Sequence, residues 1–84
     1  MKKTENSYVE KHNIVFDYSL LKKEIKKVCG SQLNFAIQMG WSDRTATFKL
    51  NSKRYIKADE MVMAAEILGI AENDIPKYFL KKLK

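Results

Sequence analysis

Chain breakers are scarce, with three glycines and one proline in 84 residues. The one cysteine, Cys29, excludes an intramolecular disulfide. It falls where a first helix should bury its apolar side, so it reads as a small buried thiol rather than a nucleophile. No apolar run reaches transmembrane length. Met1-Lys2-Lys3-Thr4-Glu5-Asn6 leads into no hydrophobic stretch, so no signal peptide is expected and a cytoplasmic protein is. A phosphate-cradling glycine loop, a nucleophile–base pair and catalytic motifs are all missing, so neither enzymatic activity nor a small-molecule substrate is expected. His12 has no cysteine or carboxylate partners at ligand spacing, so no metal or other cofactor is expected. Internal repeats and low-complexity tracts are absent.

What remains suits one small helical domain. Hydrophobic residues make up 45% of the chain, enough for a globule rather than a disordered polymer. Met, Leu, Lys, Glu and Ala are plentiful, and all are good helix formers. The formal charge is +6. The excess lies mainly at the two ends and around Lys49, Lys53, Arg54 and Lys57, which favours a polyanionic partner, nucleic acid before an anionic membrane.

Periodicity divides the chain. Residues 1–13 read as a polar arm, residues 14–80 as the folded domain, and residues 81–84 as a solvated basic tail. The patch Ile14-Val15-Phe16 either packs on the core or adds a strand-like edge. Asp17 suits an N-cap, after which Tyr18, Leu21, Ile25 and Val28 recur at helical spacing until Gly30. Ser31 caps a second helix with Leu33, Phe35, Ala36 and Met39 as its apolar residues, stopped by Gly40. Ser42 caps a third, Asp43 to Leu50, with Ala46 and Leu50 facing inward. A polar loop at residues 51–54 precedes a fourth helix, Ala58 to Leu68, whose stripe is Met61, Ala64, Ala65 and Leu68. Asn73 or Asp74 caps a last short helix, where Pro76 is tolerated in the first turn.

The informative segment is residues 32–50. Ala36 is small where the second helix must be crossed closely, Gly40 permits the positive φ of a tight turn, and Ser42 restarts the helix. These features make a helix-turn-helix, whose second helix enters the DNA major groove in the proteins that read DNA with it. Gly30-Ser31-Gln32-x-x-Phe35-Ala36-x-x-Met39-Gly40-Trp41-Ser42, with Arg44-Thr45, Leu50-Asn51 and Glu66-Ile67-Leu68-Gly69-Ile70, resembles the phage repressor and Cro type of helix-turn-helix domain. Within it the sequence is most similar to the short Gram-positive phage and prophage regulators that carry a Tyr-Phe near the last helix, here Tyr78-Phe79. The resemblance spans residues 17–80 and implies an all-α, compact five-helix, lambda-repressor-like fold. One position departs from the pattern: Lys49 stands where such families place an apolar residue. Either the third helix extends and uses Leu50, or Phe48 packs inward.

The resemblance also implies roles. Asp43, Arg44, Thr47 and Phe48 would contact bases: Arg44 on guanine O6 and N7, Asp43 on cytosine N4, Thr47 and Phe48 on thymine methyls. Gln32, Ser42, Lys49, Lys53 and Arg54 would contact phosphates. The implied function is a transcriptional regulator, a phage repressor or Cro-like switch. A homodimer would bind an inverted repeat in a double-stranded operator, with half-sites roughly 34 Å apart. Its dimer surface would come from Ile75, Tyr78, Phe79 and Leu80, or from the patch at residues 14–16. The alternative is a protein-interaction module, an antirepressor or antitoxin-like subunit with an idle recognition helix. A membrane-surface role for the basic C-terminus fails because residues 78–84 span about two helical turns.

Overall fold

The computed structural model describes residues 15–83; the expected polar arm with His12, together with Ile14 and Lys84, lies outside them. Five α-helices follow in order: α1 (Ser19–Cys29), α2 (Gln32–Met39), α3 (Asp43–Leu50), α4 (Ala58–Leu68) and α5 (Ile75–Phe79). A 3-10 turn (Glu72–Asp74) leads into α5. Among the described residues no strand forms. The fold is the expected all-α helix-turn-helix domain.

Local chemistry sets most boundaries. The Ser31 and Ser42 hydroxyls accept the backbone N–H of Asn34 (3.1 Å) and Thr45 (3.0 Å), each meeting a donor that the first turn leaves unpaired. Gly40 ends α2 at φ 77°, a left-handed backbone that costs a glycine little, and this turn lets α3 fold back across α2. The start of α1 differs from expectation by one residue. Tyr18 is the N-cap and is buried, while the Asp17 carboxylate accepts the Ser19 N–H at 3.0 Å.

The core joins all five helices. Leu21 and Ile25 of α1 meet Phe35 and Met39 of α2, Leu50 of α3, Ala64 and Leu68 of α4, and Phe79 of α5. Phe35, Phe79 and Leu21 are the largest side chains fully removed from water. Ala36 has no exposed surface where α2 and α3 pack, and its carbonyl accepts the Trp41 N–H at 2.9 Å. Two apolar residues expected inside lie outside. Val28 and Leu33 are exposed, because the neighbouring helices cover other faces of α1 and α2. Phe79, expected at a dimer surface, is instead a core residue, and Tyr78 packs partly on the same core.

The patch before α1 does both things left open by its sequence. Phe16 packs on the core and forms an isolated antiparallel bridge with Lys82. The Asp17 N–H donates to the Lys81 carbonyl (2.7 Å), and the Leu83 N–H donates to the Val15 carbonyl (2.9 Å). The backbone of residues 81–83 is therefore paired with the segment before α1, while their side chains remain exposed.

Ala36→Leu would add three carbons where α2 and α3 touch. Overpacking of this kind costs about 1–3 kcal/mol, so a chemical-denaturation midpoint should fall; an unchanged midpoint would show that the helices can separate without penalty.

Candidate nucleic-acid or protein interface on α3

A helix of eight residues that buries one side leaves a narrow outer face. On α3 the buried residues are Ala46, Lys49 and Leu50. Asp43 and Arg44 are exposed, and Thr47 and Phe48 are half-buried. The third helix thus extends to Leu50, which is 2% exposed. This resolves the departure at residue 49, and Phe48 is left at the rim.

Arg44 and Phe48 are four residues apart, one turn along the helix. The Arg44 guanidinium lies 5.7 Å from the centre of the Phe48 ring. The Arg54 guanidinium, from the loop beyond α3, lies 5.3 Å from the same centre. Among the described residues neither arginine has a carboxylate within 4.0 Å. The ring's negative face attracts both cations and helps hold them on one exposed patch.

The loop that delivers Arg54 has its own anchor. Ser52 adopts φ 62°, a conformation unusual for a residue with a side chain. Its hydroxyl accepts the Phe16 N–H at 3.0 Å, and the Lys53 N–H returns to the Phe48 carbonyl at 2.8 Å. Lys22 donates to the Asn51 side-chain oxygen at 3.1 Å. Lys53 and Arg54 are exposed.

Three residues expected at phosphates have internal partners. Gln32 donates through Nε2 to Thr47 Oγ1 at 3.0 Å, so these two side chains hold one another across the α2–α3 crossing. Ser42 uses its hydroxyl as the α3 cap and donates to Thr45 Oγ1 at 3.0 Å, while remaining exposed. Lys49 requires a correction, since it is 7% exposed and does not face a duplex. Its ammonium donates to Glu60 Oε1 (3.0 Å) and to the Tyr55 carbonyl (3.2 Å). It also sits 5.4 Å from the centre of the Trp41 ring. Trp41 in turn meets Phe35 edge-on at 5.9 Å, so it packs the turn.

Glu60 is the residue that sequence reasoning missed. It stands in the first turn of α4, where an acid already suits the positive end of the helix without any further partner. The signal lay in the lysine at an apolar position, because a buried ammonium requires an anion. Burial pushes the Glu60 carboxyl up, yet the Lys57 N–H (2.9 Å) and the Lys49 ammonium, with a smaller share from Trp41, hold it below its ordinary value of 4.5. At Cys29, burial pushes the thiol up against a weaker opposing hydrogen bond from Gln38, which disfavours the nucleophilic thiolate. Among the described residues no helix is long and apolar enough to cross a membrane.

Residues 14–82 match the model of a family described as a protein of unknown function, DUF739. The chain is similar to a solved structure, the solution structure of the modulator of repression (MOR) of the temperate bacteriophage TP901-1 from Lactococcus lactis. Identity is 50%, the TM-score is 0.69, and the match covers 76% of this chain and 86% of that one. No curated protein matches the chain.

Lys49→Met keeps the stem but strands Glu60, and should cost about 1–3 kcal/mol in a urea titration at neutral pH. Glu60 has a depressed folded value, so its stabilisation is present above 4.5 and disappears as pH falls through that lower value. Asp17, lowered from 3.8 chiefly by the Ser19 N–H, acts with the same sign. The melting temperature should therefore drop on acidification through this window, and Glu60→Gln should flatten the drop. A profile identical to the parent's would remove Glu60 from the account.

Proposed function

The chain belongs to the DUF739 family of proteins of unknown function, and from that premise we propose that it is a non-enzymatic phage regulator that modulates repression by binding a repressor protein through the outer face of α3. The observation that carries this reading is the patch of Arg44, Phe48 and Arg54, with two guanidinium groups over one half-buried ring. Arginine and aromatic side chains dominate the energetic centres of protein interfaces. The neighbouring helix α2 adds exposed apolar surface at Leu33 (52%) and Ile37 (65%). Meanwhile Lys49 is turned inward, Gln32 and Thr47 are joined to each other, and Asp43 opposes phosphate at the head of α3. The 50% identity with a phage modulator of repression points the same way.

A second reading is favoured by the helix-turn-helix and the exposed cations Arg44, Lys53 and Arg54. In it the protein is a Cro-like or repressor-type regulator, and a homodimer lays α3 in the major groove of an operator. Arg44 then bonds guanine, Asp43 cytosine, and Thr47 and Phe48 touch thymine methyls. Gln32, Ser42, Lys53 and Arg54 hold phosphates.

One gel-shift series separates the two. Labelled operator duplex is presented alone and with the repressor of the same phage already bound. Repressor binding predicts no shift by this protein alone, a changed or released repressor–DNA band, and at least roughly tenfold weakening by Arg44→Ala with Arg54→Ala. DNA reading predicts a shift by this protein alone that weakens steeply between about 50 and 200 mM salt. It also predicts that Arg44→Ala relaxes preference at one base pair by about 1–3 kcal/mol. A protein that alters neither sample sinks both readings.

A further inference from the structure

The chain carries 16 lysines and arginines, yet residues 58–76 contain none. The same stretch holds Asp59, Glu60, Glu66, Glu72 and Asp74, half of the ten acidic residues. It forms α4, the 3-10 turn and the start of α5. Among these acids Glu60 is committed to Lys49. Among the described residues, Glu66 and Glu72 have no cationic side chain within 4.0 Å.

Between α4 and the turn lies a groove of about 280 Å³, lined by Val62, Ala65, Glu66, Ile70, Glu72 and Ile75. Its floor is aliphatic, and Glu66 and Glu72, on separate elements, are both exposed. Val62 (45%) leaves apolar surface open beside them. This groove is not part of the α3 patch. Glu60 points toward Lys49, and Val62 follows it by two residues, roughly 200° around the helix axis.

The geometry points to this groove as a second interaction surface, one that takes a cationic amphipathic helix of a protein partner. An aliphatic floor asks for the apolar stripe of a helix, at i and i+3 or i+4. Flanking carboxylates favour lysine or arginine on the rim and disfavour nucleic acid and anionic lipid, whose charges they would repel. The inference goes beyond the proposed role of α3 and leaves that face free while the groove is filled.

The test uses the full chain, isotope-labelled, and two synthetic probes of equal charge. One is a lysine–leucine peptide with its leucines on one helical face; the other is its scramble, with the leucines dispersed. The amphipathic probe should shift the amide resonances of Val62, Glu66, Ile70 and Glu72, and bind at least about tenfold more tightly than the scramble. Glu66→Lys with Glu72→Lys should weaken it at least about tenfold, while Arg44→Ala leaves it unchanged. Both variants lie at exposed positions, and their spectra report whether they fold. Equal binding of the two probes, shifts clustered on α1 or α3, or indifference to the charge reversal would overturn the proposal. So would concentration-dependent shifts at these residues without any probe, because the occupant would then be a second copy of this chain.

Discussion

An ammonium group withdrawn from water must find an anion, and Lys49 imposes that condition on the rest of the domain. Its stem fills the inner side of α3 between Ala46 and Leu50, and its charge meets Glu60 at the first turn of α4. That contact ties the end of α3 to the next helix across the intervening loop. Glu60 is itself held by the Lys57 N–H, so the pair is braced from both ends. With residues 46, 49 and 50 facing in, α3 has one orientation left. Arg44, Thr47 and Phe48 become its outer face, and the patch proposed to recognise a partner follows from the placement of a lysine that never reaches it.

The parts of the fold legible in the sequence are those decided within a few residues. Ser42 and Leu50 bound α3, and Ala58 and Leu68 bound α4, as their periodicity and caps predict. Ala36 and Gly40 identify the helix-turn-helix because a close crossing and a left-handed turn each demand a small side chain. What was not legible depends on distant neighbours. Val28 and Leu33 fit an apolar stripe, yet nothing local says which side of the helix another helix will cover. Phe79 looked available for association, but it is fully buried in the core shared by the five helices. The patch at residues 14–16 suggests a strand-like edge, but nothing local names Lys82 as the partner of Phe16.

The candidate site was legible by position more than by role. Asp43, Arg44, Lys53 and Arg54 are exposed, as a recognition surface requires. Gln32 and Thr47 are engaged with each other, an arrangement that residue type alone could not foretell. The cationic patch and the acidic groove occupy different flanks of a small body. A chain whose formal charge is +6 thus presents surfaces of both signs. Net charge describes its long-range attraction and says little about any single face.

The side-by-side pairing of residues 15–17 with residues 81–83 also has a topological meaning. Two antiparallel segments joined by backbone hydrogen bonds bring the polypeptide into and out of the domain at one doorway. A short peptide link could close the main chain there into a ring. Anything appended on either side of that doorway would be hung from the same corner of the molecule, close to the Ser52 loop.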